Sequence, residues 1–166
     1  MTFQYPFRLM VLRALTVCLE EVKPANGYVH DLTGKVFRGR KLFGEADPIP
    51  MITILEPPVT PEQLESPRDS TVQYTVYQLL IQGFVADDKK HPSDKAHVLA
   101  ADVCRALALE RKKNARDPDI LGLGGRVADM HIGSYVVQPP DEVSAKAYFF
   151  LLLDLELIED LEQPYD

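Results

Sequence analysis

The last third of the chain contains a run that few folds can accommodate. Ser144 to Glu159 reads SAKAYFFLLLDLELIE, with Ala147, Phe149, Leu151, Leu153, Leu155 and Leu157 all on one parity. The other parity carries Lys146, Tyr148, Phe150, Leu152, Asp154 and Glu156. In an extended chain a period of two sends these sets to opposite sides. One side is apolar without interruption and has to face a core. The other changes from aromatic to acidic along its length. Leucine is also a good helix former, so composition alone leaves a helix open. The alternation makes a long strand the expected state.

A second long strand is expected over Thr71 to Ala86. Tyr74, Val76, Leu80 and Phe84 share one face, and Tyr77, Leu79, Ile81 and Val85 the other. Apolar groups on both faces imply that both are at least partly covered. Gly83 suggests a bulge. Met51 to Leu55 is a short strand introduced by Pro48 and Pro50. Val127 to Gln138 reads as one more strand, stopped by Pro139-Pro140. Tyr28 to Gly44 gives weaker signals and reads as a short strand or an ordered loop.

Two helices are expected. Tyr5 to Val22 starts with Pro6 at a first-turn position. It keeps Leu12, Leu15, Leu19 and Val22 on one face, while Phe7, Met10, Val11, Ala14 and Cys18 add a second apolar face. A helix apolar over so wide an arc usually packs against more than one thing. The second helix starts at Ser93 or Asp94 and runs to about Lys112, with Ala96, Leu99, Ala100, Val103 and Leu107 as its buried stripe. Glu56 to Ser70 (EPPVTPEQLESPRDS) is a long exposed loop with four prolines. The acidic end of the chain, residues 159–166, is expected to fray. Strands joined by turns, with two helices on one face, define an α+β fold with a mostly antiparallel sheet. The 166 residues fit one domain.

Charge and composition exclude several classes. A net charge of −7 opposes wrapping of a nucleic-acid backbone, which needs clustered Lys and Arg. The longest apolar run, Ala147 to Leu153, is too short to span a bilayer, so no membrane partner is expected. MTFQYPFRLM lacks the basic region, apolar block and cleavage site of a secretory signal, so synthesis and retention in a cytoplasm are expected. Cys18 and Cys104 lie far apart in apolar helical patterns and read as small hydrophobes.

The densest set of reactive side chains is Asp87, Asp88, His91, Asp94 and His97, within GFVADDKKHPSDKAHVLAADV. A cation site needs convergent ligands with supporting partners. Here each residue already has a structural use at a strand-to-helix junction. His91-Pro92 bars helix before the cap, and Asp94 in the first turn meets exposed N–H groups. A junction is therefore the preferred reading over a metal or acid–base site; a polar contact between subunits also stays open. Asp129 and His131 share a strand face but have no third group placed beside them. LGLGGR, residues 121–126, lacks the strand–turn–helix context of a dinucleotide site and reads as a flexible turn. No G-x-S-x-G elbow is present. No catalytic, metal or cofactor residue is assigned, and an enzyme is not expected. Arg38 and Arg40 in GKVFRGRKLFG could meet phosphate; with 25 acids and 18 bases, pairing with carboxylates inside the chain or on a neighbour is preferred.

The order of segments is informative beyond each one. LRALTVCLEEV is followed by VFRGR, then by ILEPP, LLIQGFVADD and HPSDKAHVLAADVCRAL, and finally by a long apolar strand with an acidic tail. Taken together over Leu9 to Glu159, these resemble the tail-terminator (tail-completion, minor tail) proteins of tailed bacteriophages. The resemblance implies a small α+β subunit with helices on one side of the sheet. Six copies form a ring that sits on the last tail-tube ring, ends its growth, and offers a surface to head-completion or neck proteins. It places the protein in the virion tail or neck, after synthesis in the host. Tail-tube protein, neck protein and further copies of the chain are the implied partners, without cofactor or metal. DNA is only cargo passing an acidic lumen.

Surfaces suited to that role are the second face of the first helix (Phe7, Met10, Val11), the basic Arg38 and Arg40, Pro58 and Leu64 of the loop, and Tyr148, Phe150 and Leu152 of the last strand. The connection Asn114–Arg126 is longer than the minimal fold needs. A head–tail connector or another neck or tail ring subunit is the alternative. A metal-dependent enzyme using the Asp87–His97 set is a third reading.

Overall fold

A computed structural model of the chain describes residues 4–64, 66–86, 88–113, 116, 119–142 and 144–165. The run that opened the sequence analysis forms β6 (Ala147–Asp160), and Thr71–Ala86 forms β3 (Val72–Val85). These two 14-residue strands pair antiparallel from Val72↔Asp160 to Val85↔Ala147 with no break in register. The remaining strands are β1 (Val36–Arg38), β2 (Met51–Leu55), β4 (Val127–Ile132) and β5 (Val136–Gln138). Sheet order is β1-β2-β3-β6-β4, with β5 also on β6. Among the described residues only β1 and β2 run parallel, and every other pair is antiparallel. The architecture is therefore the expected α+β sheet with two helices, α1 (Phe7–Glu20) and α2 (Asp94–Lys112).

Both helices pack on the inner face. β6 sends Ala147, Phe149, Leu151, Leu153, Leu155 and Leu157 inward, each at most 1% exposed. They meet Tyr77, Leu79, Ile81 and Val85 of β3 and Leu99, Val103 and Leu107 of α2 in one continuous core. α2 has Asp94 in its first turn and Arg111 and Lys112 in its last, charges that complement the helix dipole.

The inner face of α1 differs from expectation. Its buried ladder is Phe7, Val11, Leu15, Leu19, continued by Val22. Each four-residue step overshoots a turn by only about 40°, so these side chains stay on one broad stripe. Phe7 and Val11, expected on a face turned to a neighbour, are covered within the subunit. Met10, Ala14 and Cys18 lie at the margin, half-buried.

Three further features depart from the sequence reading. Gly83 marks a close approach rather than a bulge: a Cβ there would lie 2.1 Å from Phe149 Cε1 and 2.8 Å from Ile52 Cδ1. The register shift falls instead between Val127 and Asp129. The strand expected over Val127–Gln138 is two strands laid end to end along β6. Gly133 separates them, where a Cβ would sit 2.8 Å from the Leu152 carbonyl oxygen. The acidic tail is docked, because Phe7 N–H donates to the Pro164 carbonyl at 2.8 Å and Leu161 N–H to the Thr71 carbonyl at 2.9 Å. The first of these satisfies an N–H at the start of α1 that has no partner within the helix.

Candidate functional site

The Asp–His stretch forms a turn between β3 and α2. Asp88 Oδ1 accepts the backbone N–H groups of Lys90 (2.9 Å) and His91 (2.6 Å). These bonds, that to His91 foremost, hold the Asp88 carboxyl below its ordinary value. His97 sets its ring edge-on to Tyr135, 5.9 Å between centroids. His91 and Asp94 are exposed, and Asp87 lies outside the described residues. Among the described residues no three of His, Cys, Asp and Glu converge as a cation site.

Asp129 and His131 do share the outer face of β4, 3.7 Å apart, and each has a nearer partner. Arg111 donates to both Asp129 oxygens (3.0 and 3.3 Å), and Met130 N–H adds a third bond at 2.7 Å. The Arg111 bond is the main reason that the Asp129 carboxyl is held low. His131 Nε2 lies 2.9 Å from Glu156 Oε1. The environment of both thiols favours the protonated form. Burial pushes Cys18 up to about 12 and raises Cys104, and a thiol held protonated is a poor nucleophile.

The glycine-rich segment is pegged rather than flexible. Glu110 accepts the Leu121 N–H (2.9 Å), Asp119 accepts the Gly125 N–H (3.1 Å), and Ile120 and Leu121 are buried. Within the connection Asn114–Arg126, residues 114, 115, 117 and 118 lie outside the described residues. With α1 and α2 this segment borders a groove of about 690 Å³.

Two carboxylates that the sequence reading passed over, Asp102 buried and Glu159 half-buried, position the elements. Asp102 Oδ2 accepts Val29 N–H (3.1 Å), His30 N–H (3.0 Å) and lies 3.0 Å from His30 Nδ1. It clasps α2 to the segment that leads into β1. The available signal was an acid within the stripe Leu99, Val103, Ala106. Glu159 receives Arg8 through two bonds (2.8 and 2.9 Å) and Thr75 Oγ1 at 2.6 Å, tying α1 to β3 and β6.

The basic segment folds over the outer face of β2. Arg40 pairs with Asp47 and stacks on Phe37 (4.7 Å) and Phe43 (5.4 Å), so the expected internal ion pair forms at this arginine. Phe43 continues into a row with Phe84 (4.8 Å) and Tyr148 (5.9 Å). This row covers Met51 and Thr53 and leaves Tyr148 half-buried, its hydroxyl donating to Asp141. Arg38, Pro58 and Leu64 are exposed.

The rest of the outer face is bare. Tyr74 is 69%, Val76 60%, Leu152 44% and Val136 43% exposed. Register places Leu152 beside Leu80, Phe150 between Gln82 and Val136, Asp154 beside Gln78, and Glu156 beside Val76. An apolar band over Leu80, Leu152, Phe150 and Val136 thus ends at an acidic strip, Asp154 and Glu156, with Val76 beside that strip and Tyr74 beyond it. Both sides of β3 were expected to be partly covered; among the described residues Tyr74 and Val76 are left largely uncovered. Contiguous exposed apolar groups rimmed by polar ones mark an interaction surface. Of the residues expected to meet partners, Phe150 and Leu152 lie in this band, Tyr148 at its end, and Phe7 and Val11 in the core. No protein-family model matches the chain, and no curated protein matches it.

Proposed function

We propose that the chain is a structural subunit of a tailed-bacteriophage particle, a tail terminator whose copies form a ring that caps the tail tube. The observation that carries this reading is the one-sided sheet. Two helices cover its inner face, while Tyr74, Val76, Val136 and Leu152 stand exposed on the outer one. Three acidic groups of the kind that can carry chemistry are engaged in holding turns and elements together: Asp88 in a turn, Asp102 in a clasp, Asp129 on Arg111. An assembled ring gives the bare apolar area a use, and the ordered segments from LRALTVCLEEV to the final strand supply the family resemblance. The net charge of −7 per copy suits a passage that DNA traverses without adhering.

Polymerising tail-tube protein with and without this chain tests the reading. Tubes grown with it should stop short and carry one extra ring at one end in negative-stain images. Tube lengths that do not change, with bare ends, would contradict it.

A further inference from the structure

Two patches of this surface are complementary in the same chain. The first is the tip of the basic segment. Arg38 and Lys41 are exposed and have no acidic partner among the described residues, and Leu42 between them and Phe43 is 87% exposed. Arg40, by contrast, is engaged by Asp47. The second is the acidic margin of the bare face. Asp154 accepts only Gln78 Nε2, at 3.0 Å, and Glu156 only His131. Neither meets a Lys or Arg among the described residues, and Leu152 and Val76 stand exposed beside them. Each patch combines an uncovered apolar group with two charges that have no partner of opposite charge among the Asp, Glu, Lys and Arg of the described residues, Glu156 being met by His131 alone, and the two patches have opposite sign.

The patches cannot satisfy each other within one subunit. Arg38 lies in β1, with β2 and β3 between it and β6, and the row from Phe43 reaches β6 at Tyr148, six residues from Asp154, about 20 Å along an extended strand. We infer that the occupant of the bare face is the basic segment of a second copy: Arg38 and Lys41 meet Asp154 and Glu156, while Leu42 enters the apolar ground around Leu152 and Leu80. Because donor and acceptor patches are distinct, each copy can give to one neighbour and receive from another. Such a head-to-tail contact closes into a ring when the rotation permits. The contact rests on the ring reading only for the number of copies.

The test uses two charge reversals, Arg38→Glu/Lys41→Glu and Asp154→Lys/Glu156→Lys, with chromatography and light scattering of the full chain. All four positions lie on the surface, so circular dichroism should match wild type; Leu42→Asp serves as a third variant at a site without buried contacts. Wild type should elute as an assembly. Each variant should fall to the 18.7 kDa monomer. Mixing the two reversed proteins should restore the assembled mass, because each then offers what the other lacks. A monomeric wild type overturns the inference, as do variants that keep the wild-type mass or mixtures that stay monomeric. Tubes capped by rings that tolerate both reversals would sink this contact and leave the proposed function standing. Rescue by mixing without tube capping would do the reverse.

Discussion

Replacing Asp102 with alanine removes one carboxylate oxygen that serves three donors: the N–H groups of Val29 and His30 and the His30 ring nitrogen, all within 3.1 Å. Asp102 is 7% exposed, so water cannot replace it freely. A buried donor left without a partner costs about 1–3 kcal/mol. The His30 ring can turn toward solvent and recover part of its loss, which puts the expected destabilisation at about 2–4 kcal/mol. For a chain of this length that corresponds to a fall in Tm of about 5–15 °C. Urea titration followed by circular dichroism should show a lower midpoint with an unchanged slope. His30→Ala alone should cost less, since it leaves both backbone bonds intact, and the pair should be non-additive. A loss below about 0.5 kcal/mol, the range of an ordinary surface change, would refute the idea that this clasp holds α2 to the segment before β1. The consequence reaches the surface, because that segment feeds the strand carrying Arg38.

Other consequences are as direct. Gly83→Ala should destabilise by about 1–3 kcal/mol, the usual effect of overpacking, because its methyl would enter the space of the Phe149 ring; a stability equal to wild type would contradict the close approach. Glu159 is held below the ordinary carboxylate range, first by its bond to Arg8 and also by Thr75. Its contribution is therefore complete above the unfolded glutamate pKa and is lost as pH falls through the lower folded value. Glu159→Gln should flatten that acid limb of a stability–pH curve, and an unchanged slope would argue against it. Native protein at pH 8 should label slowly with a thiol reagent, given a Cys18 thiol pushed up to about 12, whereas both cysteines should label at once in denaturant.

Strand alternation made β6 readable because a period of two records which side is apolar, whereas β3, apolar on both faces, and β2, buried at all five positions, were readable as apolar runs, the latter introduced by prolines. α2 was readable for the corresponding reason at helical spacing. α1 was harder. Ala14, Cys18 and Met10 extend apolar character around the helix, so the sequence does not say whether Phe7 and Val11 belong inside or outside. The answer depends on the four-residue ladder Phe7–Val11–Leu15–Leu19 meeting the sheet. Gly83 carried real information with the wrong meaning attached: its constraint is a neighbouring atom, not a change of register. The bare face was the least readable part. Tyr74 and Val76 have the same composition as a covered strand, and their exposure is decided by where the loop around Phe43 ends, over β2 and short of them. Asp102 was visible as an acid in an apolar stripe, but its partners lie more than 70 residues away.

The mass of the purified protein in solution, measured by light scattering over a range of salt, addresses the central claim most directly. Copies that cover each other's outer sheet face through Arg38, Lys41, Asp154 and Glu156 should give a multiple of 18.7 kDa that falls toward one copy as rising salt screens those charges. A single-copy mass at every salt and protein concentration would mean that the exposed band on β3 and β6 is not where this chain meets itself.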